Sequence, residues 1–185
     1  MRASRGMNNY LKHGEVDVSE YQAMFSTNVP WDNEYSQTRM NAFEVHNHVY
    51  VLPLMWSMQN LSEEPNVDAP KTEFYNDYYK DKFFNAVSKV MGNNGKFVRA
   101  LFTNLPAGAK IMPHVDAGVS LGSNKRVHIP IISNPDVIFT VGGEDRYIQA
   151  GEVVEINNSV LHSVKNLSSK DRIHLILDWY SNESL

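Results

Sequence analysis

The second half of the chain alternates between apolar and polar residues with the period of a β-strand. Short alternating runs follow one another after Gly95, and turns rich in glycine, proline and asparagine separate them. The segment Gly142-Gly143-Glu144-Asp145 predicts a tight hairpin between two of these runs. The predicted strands cover residues 96–105, 127–132, 136–141, 146–148, 153–156 and 172–180.

The first half of the chain has a less regular pattern. Aromatic and aliphatic residues between Phe74 and Met91 recur at spacings of three to five, which predicts an amphipathic helix that ends at Gly92. Between Phe43 and Trp56 the residues alternate and then become apolar, which predicts a strand that bends at Pro53. Farther upstream, Ser19 and the acidic residue after it indicate a helix start.

Together these patterns predict a mainly β protein with helices, of the α+β class. Many short strands after a helical first part are typical of a double-stranded β-helix, the cupin-like jelly roll, with helices packed on one side. We expect one domain over residues 1–185, in which residues 1–95 are mostly helical or irregular and residues 96–185 form the jelly-roll core that carries the site. Residues 61–70 are interpreted as an exposed loop within this domain.

Composition narrows the classes of partner. A chain of 185 residues that is 42% hydrophobic can bury one core, and its net charge of -4 with scattered basic residues gives no basic face for nucleic acid. No apolar run reaches membrane-spanning length and no secretory signal is evident, so we expect a cytoplasmic protein without a membrane partner. The absence of cysteine excludes disulfides and thiolate metal ligands, and the sequence leaves the oligomeric state open.

A candidate metal site centres on His114 and Asp116. Residues i and i+2 of an extended segment point to the same face, and His162 can supply a third ligand if the intervening strands fold back. Two imidazoles and one carboxylate leave coordination positions open and suit non-haem Fe(II). The His-x-acid pattern is weak evidence alone, since His13-Gly14-Glu15 repeats it.

Two further histidines, His46 and His48, share one face of the strand predicted between Phe43 and Trp56. A pair of histidines at this spacing could bind a metal ion. A polar strand face is the commoner explanation, so we do not include them in the predicted site.

Alternation also places charged residues on the inner face of the predicted sheet. Arg126 and His128 share one face of their strand, and Arg172 shares a face with Asp178 in the last strand. A buried arginine needs an anionic partner, and its planar fork matches a ligand carboxylate. Structural explanations also exist: His114 and Asp116 could form a strand-end pair, His128 could be a core histidine, and both arginines could pair with Asp178 or Glu155.

The ordered motifs of the β half resemble the aspartyl/asparaginyl β-hydroxylase family, which includes free-proline hydroxylases. The resemblance covers about residues 97–180 and depends on the set of motifs rather than on one of them. The motifs are Leu105–Asp116, Lys125–Pro130, Gly151-Glu152, His162–Asn166 and Asp171-Arg172. The resemblance implies an oxygenase that uses Fe(II), 2-oxoglutarate and O2.

Position by position, the resemblance implies that His114, Asp116 and His162 are the iron ligands. Arg172, ten residues after the distal histidine, then forms the salt bridge with the C5 carboxylate of 2-oxoglutarate. All three positions of the iron-ligand set are present in this chain, including the aspartate that some members replace with glycine.

Three more residues carry a predicted cosubstrate role. Arg126 and His128 match the family's Arg-x-His strand, whose side chains help to hold 2-oxoglutarate, and Thr103 falls where a hydroxyl residue hydrogen-bonds the same cosubstrate in one branch. The sequence departs from the family pattern at Asn157 and Asn158, where members often carry an acidic residue before the distal histidine.

The implied reaction is hydroxylation of an unactivated C–H bond of an amino acid, coupled to conversion of 2-oxoglutarate to succinate and CO2. The substrate can be a small molecule or a peptide, and the sequence leaves open which; Arg99 and His174 could anchor a free amino acid. One alternative is a cupin-like metal-binding enzyme without 2-oxoglutarate, which the inward Arg172 and Arg126 disfavour. The other alternative is a non-enzymatic jelly-roll binding module.

Overall fold

The computed structural model describes residues 8–42, 44–46, 48–55, 71–75, 81–92, 94–116, 121–122 and 124–181. The helices are α1 (Ser19–Met24), α2 (Glu34–Ala42) and α3 (Asp81–Met91), and a short 3-10 helix covers Glu44–His46. The strands are β1 (Tyr10–Glu15), β2 (Tyr50–Met55), β3 (Gly95–Leu105), β4 (Lys110–His114), β5 (Lys125–Ile132), β6 (Val137–Val141), β7 (Glu144–Arg146), β8 (Glu152–Ile156), β9 (His162–Asn166) and β10 (Arg172–Ser181). None of these helices combines the length and the apolar character needed to cross a bilayer.

The strands form two antiparallel sheets. The larger sheet has the order β1-β8-β5-β10-β3-β2, and the smaller sheet has the order β4-β9-β6-β7. Strands that are distant in sequence, such as β3 and β10, are neighbours in space. This arrangement of two sheets confirms the predicted jelly roll.

Alternation along β10 divides the structure into two layers. Leu175 and Leu177 are fully buried and pack in one apolar cluster with Tyr21 of α1 and Val87 of α3. Helices α1 and α3 therefore cover one face of the larger sheet, as predicted. The opposite face of that sheet meets the smaller sheet, where a second apolar cluster includes Phe139 of β6. Polar residues of β10 and β5 lie between the sheets because they alternate with the apolar ones.

Two strands come from the part of the chain that we expected to be mostly helical or irregular. β1 forms an edge of the larger sheet beside β8, and β2 forms the other edge beside β3. The β1 strand escapes sequence detection because an edge strand keeps much of its surface in solvent and shows little apolar alternation. Its Tyr10 is nevertheless buried, and the hydroxyl donates to the carbonyls of Phe139 and Glu144 at 2.7 and 3.0 Å.

The strand predicted between Phe43 and Trp56 is wrong in its first part. The 3-10 helix ends at His46, and the backbone N–H of Val49 donates to the carbonyl of His46 at 2.9 Å, so β2 begins only at Tyr50. His46 and His48 therefore do not share a strand face. The helix predicted from Phe74 is described from Asp81 onward, and the predicted loop over residues 61–70 lies outside the described residues.

The helix-covered face of β10 should provide much of the folding free energy. Leu175→Ala removes a side chain with no exposed surface from the cluster that joins β10 to α1 and α3. We expect it to lower the free energy of unfolding by about 2–5 kcal/mol. Leu167→Ala removes the same atoms from a side chain that is 64% exposed and should have little effect. Urea unfolding of both metal-free variants measures the difference, and equal losses would contradict this packing.

Candidate metal centre

The backbone register of the smaller sheet brings two of the predicted metal ligands together. His114 ends β4 and His162 begins β9, and the two residues are directly paired in the antiparallel register. Their ring centroids are 4.3 Å apart. Residues 48 positions apart in sequence are therefore juxtaposed by main-chain hydrogen bonding, which fixes both imidazoles at one edge of the sheet.

Asp116 completes the cluster from just beyond the end of β4. One of its carboxylate oxygens, Oδ1, lies 3.8 Å from Nε2 of His114 and 3.9 Å from Nε2 of His162. One ligand atom from each of the three residues lies within 4.8 Å of the others. The backbone N–H of Asp116 donates to the carbonyl of Asn158 at 3.2 Å and holds the segment against the turn before β9.

The far side of each imidazole is fixed by a carbonyl oxygen. Nδ1 of His114 lies 2.8 Å from the carbonyl of Met112, and Nδ1 of His162 lies 3.0 Å from the carbonyl of Val160. A carbonyl can only accept, so each Nδ1 carries the proton and each Nε2 presents its lone pair to the cluster. Burial also lowers the pKa of His162, which favours the neutral form that binds metals.

The second carboxylate oxygen of Asp116 is held by the protein. Arg126 Nη1 donates to Oδ2 at 2.5 Å, and the side-chain amide of Asn158 donates to the same oxygen at 3.4 Å. Burial alone would raise the pKa of Asp116, but the charge of Arg126 and then the two imidazoles more than offset it, so the pKa lies below its ordinary value. Asn158, where the family pattern often has an acidic residue, thus helps to orient the carboxylate of Asp116.

Behind Asp116, Arg126 makes a fork-shaped ion pair with Asp178. Its Nε and Nη2 donate to the two oxygens of Asp178 at 2.9 and 3.0 Å, and Arg99 reaches the same carboxylate at 2.9 Å. Burial lowers the pKa of Arg126, but Asp178 and Asp116 together raise it above its ordinary value. The structural pairing of Arg126 with Asp178 that the sequence allowed is therefore present, and the same arginine also contacts Asp116, a predicted metal ligand.

Arg172 is different, because no carboxylate among the described residues pairs with it. Its Nη1 donates to the hydroxyl of Thr103 at 3.3 Å and its Nη2 to Nδ1 of His174 at 2.7 Å, while its Nε has no acceptor in the described part of the chain. The side chain is only 1% exposed, and burial lowers its pKa to about 9. Of the two carboxylates considered as its partners, Asp178 is engaged by Arg126 and Glu155 lies 2.8 Å from His13.

Neutral histidines surround this arginine. Burial, followed by the charge of Arg172, lowers the pKa of both His128 and His174 well below the ordinary value. Neither ring nitrogen of His128, nor Nε2 of His174, has a hydrogen-bond partner within the described ranges. Several buried polar atoms near Arg172 can thus bind a ligand.

All seven residues of the predicted site line one cavity between the sheets; they are Thr103, His114, Asp116, Arg126, His128, His162 and Arg172. Two further polar residues also line the cavity: Arg39 of α2, which the sequence interpretation missed, and His46 of the 3-10 helix, which it left out of the site. The rings of His46 and His114 meet edge to face with centroids 5.2 Å apart. The possible metal-binding pair His46 and His48 was the signal in this region, and assigning both residues to a strand was misleading.

The residues present fit a divalent metal with a carboxylate cosubstrate. Two Nε2 atoms and one carboxylate oxygen converge, and this donor set leaves positions open on a non-haem iron. In the same cavity, Arg172 is a buried cation with a free donor and no anionic partner in the described part of the chain. An anionic ligand that pairs with Arg172 would remove the free-energy penalty of an unpaired buried charge.

Comparison with solved structures supports the jelly-roll fold described above. An oxidoreductase of the 2OG-Fe(II) oxygenase family from Burkholderia pseudomallei matches with a TM-score of 0.50 at 15% identity, over 90% of this chain and 91% of the other. The nickel complex of the non-haem monooxygenase ThoJ matches with a TM-score of 0.52 at 14% identity, over 94% of this chain and 74% of the other. At these identities the likeness supports the fold alone.

Sequence comparison identifies the family. No curated protein sequence matches the chain. The family model described as aspartyl/asparaginyl beta-hydroxylase matches residues 18–182. Since that model spans nearly the whole chain, the chain belongs to the aspartyl/asparaginyl beta-hydroxylase family, whose members are hydroxylating dioxygenases.

Proposed function

We propose that the protein is an Fe(II)- and 2-oxoglutarate-dependent dioxygenase that hydroxylates an amino acid, either free or within a peptide. The observation that carries the proposal is the presence, in one cavity, of a two-histidine, one-carboxylate cluster and a buried arginine without an anionic partner among the described residues. The cluster alone would suit several metals, and the arginine alone several anions. Together they match a metal chelated by a dicarboxylate.

In this proposal His114, Asp116 and His162 hold the iron, and Arg172 with Thr103 binds the distal carboxylate of 2-oxoglutarate. Bound together, iron and 2-oxoglutarate activate O2 to oxidise a C–H bond, with 2-oxoglutarate leaving as succinate and CO2. The contribution of the chain is to bind and orient the reactants. His128 offers two unpaired ring nitrogens toward the same ligand.

The residues around the cluster favour the binding of iron and 2-oxoglutarate in two ways. Arg126 keeps Asp116 ionised and fixes the oxygen that does not face the imidazoles. Apolar side chains from both sheets, and Val49 just before β2, line the cavity that holds the metal ligands and Arg172 and can contact the methylene carbons of the cosubstrate. They are Val49, Ile111, Phe139, Val164 and Ile176.

Anaerobic reconstitution with Fe(II) and 2-oxoglutarate tests the metal and the cosubstrate together. We expect a weak visible charge-transfer band from the chelated cosubstrate in the wild type. His162→Ala should remove the band because a metal ligand is lost. Arg172→Met should remove it or raise the 2-oxoglutarate concentration it requires at least about tenfold, since a charge-assisted hydrogen bond contributes on the order of 1.5–3 kcal/mol.

Lys165→Met is the matched control for the loss of a positive charge in Arg172→Met, because Lys165 is an exposed cation on the same strand as His162. It should keep the band unchanged, and circular dichroism should confirm folding of every variant. If iron binds and no band forms in the wild type, the cosubstrate assignment is wrong and the cupin-like enzyme without 2-oxoglutarate is favoured. If no iron binds, the jelly-roll binding module is favoured.

The ion pair behind Asp116 generates a separate prediction about metal affinity. Asp178→Asn removes the carboxylate that anchors the fork of Arg126, so Arg126 can shift and compete with the metal for Asp116. We expect affinity for Co(II), used as an air-stable substitute, to fall about 10–100-fold by isothermal titration calorimetry. Asp136→Asn, at an exposed turn position, should leave it unchanged. An unchanged affinity in folded Asp178→Asn would show that Arg126 does not depend on this anchor.

A further inference from the structure

Two neutral groups, rather than a carboxylate, hold the guanidinium of Arg172 in place. Its Nη1 donates to the hydroxyl of Thr103 at 3.3 Å, and its Nη2 donates to Nδ1 of His174 at 2.7 Å. The same hydroxyl of Thr103 donates to the backbone carbonyl of His174 at 3.3 Å. Each of the three residues is only 1% exposed, so bulk water does not compete with these hydrogen bonds.

The geometry of β10 explains why His174 reaches Arg172. The two residues are two positions apart on one strand, so both side chains point to the inner face of the larger sheet. The register with β3 places Thr103 directly opposite His174. Arg172 and Thr103 line the cavity, whereas His174 is not among its lining residues in the described part of the chain. An effect of His174 on a ligand is therefore transmitted through Arg172.

The contact with Arg172 fixes the protonation state of His174. A guanidinium has N–H donors and no acceptor, so Nδ1 of His174 must present a lone pair and Nε2 must carry the ring proton. A doubly protonated imidazole would direct an N–H at a cation 2.7 Å away. The pKa of His174, which burial lowers well below its ordinary value, agrees with a neutral ring.

An imidazole acceptor differs from a carboxylate acceptor in its effect on the charge of the arginine. Arg126 is oriented by Asp178, and the carboxylate offsets the charge of the guanidinium. His174 orients Arg172 through a hydrogen bond of similar length but leaves its positive charge uncompensated. In a buried site such a cation attracts an anionic ligand more strongly than a cation that is already paired. Fixing its orientation in advance also reduces the entropy that is lost when the ligand binds.

We propose that His174 is a positioning residue that holds Arg172 as an oriented, uncompensated cation for the distal carboxylate of 2-oxoglutarate. This inference rests on the proposed function, because it takes that carboxylate to be the ligand of Arg172. If His174 only filled space, any neutral side chain that packs well would replace it. The positioning role instead requires an acceptor at the place of Nδ1, and it requires that the acceptor carry no charge.

Three variants at position 174 separate these requirements. His174→Asn keeps a neutral acceptor near the place of Nδ1, His174→Asp has almost the same shape but is anionic, and His174→Leu has no acceptor. Calorimetry measures the binding of 2-oxoglutarate to each variant loaded with Zn(II). We expect His174→Asn to bind within about threefold of the wild type and His174→Leu to bind at least about tenfold more weakly. His174→Asp should lose at least as much, because its carboxylate neutralises Arg172.

Binding of Zn(II) itself is the control for the integrity of the site. It should be the same in all folded variants, because His174 contacts none of the three residues of the metal-ligand cluster. Wild-type affinity for 2-oxoglutarate in folded His174→Leu, or equal affinity in the Asn and Asp variants, would overturn the proposal. If His174→Asp does not fold, the comparison decides between Asn and Leu, and an equal loss in both would also overturn it.

The tautomer of His174 provides a second measurement that needs no cosubstrate. Long-range 1H–15N spectra of the Zn(II) protein, labelled with 15N-histidine, show which ring nitrogen carries the proton. We expect the His174 signals, assigned from their loss in His174→Asn, to show a proton on Nε2 and a lone pair on Nδ1. Arg172→Met should shift the Nδ1 signal, and His13, whose ring contacts Glu155 on β8, should be unaffected.

The two measurements distinguish failure of this inference from failure of the proposed function. A proton on Nδ1 of His174, in either a neutral or a charged ring, would contradict the positioning role even if 2-oxoglutarate binds normally. If the wild type shows the expected tautomer but binds no 2-oxoglutarate, the proposed function is wrong, and with it the ligand assigned to Arg172.

Discussion

The ion pair of Arg126 with Asp178 is the interaction on which the arrangement of the site depends. It joins β5 to β10 within the larger sheet. The remaining guanidinium nitrogen of Arg126, Nη1, then points toward Asp116, which lies just after β4 of the smaller sheet. A buried charge pair of this kind contributes little net folding free energy, since desolvation offsets much of the attraction. Its value is geometric, because Arg126 fixes one oxygen of Asp116 and leaves the other directed at two imidazoles.

The period of two in β-strands explains how one sheet can provide both stability and chemistry. Along β10, Leu175 and Leu177 pack against helices while Arg172, His174 and Asp178 point between the sheets. Because helices pack on the outer face and form the main apolar core there, the inner face does not have to be apolar throughout. The inner face can then hold charges that would otherwise destabilise the fold.

The sequence predicts the parts of this structure that follow from local periodicity. Most strands after Gly95 and the inward alternation of Arg126 and His128 belong to this class. The β4 and β9 strands are less evident, because both are short and contain few apolar residues, and their pairing depends on long-range register. Arg39 could not be found from the sequence, since α2 shows no clear apolar stripe and only tertiary packing brings it to the cavity.

Two cavity arginines, the buried Arg172 and the partly buried Arg39, have no carboxylate partner in the described residues, which conflicts with the rule that internal charges are paired. Arg126 obeys the rule fully, since two carboxylates pair with it, whereas Arg39 and Arg172 line the same cavity and have no carboxylate partner among the described residues. The chain therefore can neutralise an arginine in this cavity, and it does so where Arg126 orients the carboxylate of Asp116. Departures from such rules concentrate at functional sites, where a ligand supplies the missing partner. On this argument the unpaired Arg172 corresponds to an anionic group of a ligand, which is the role that the proposed function gives it.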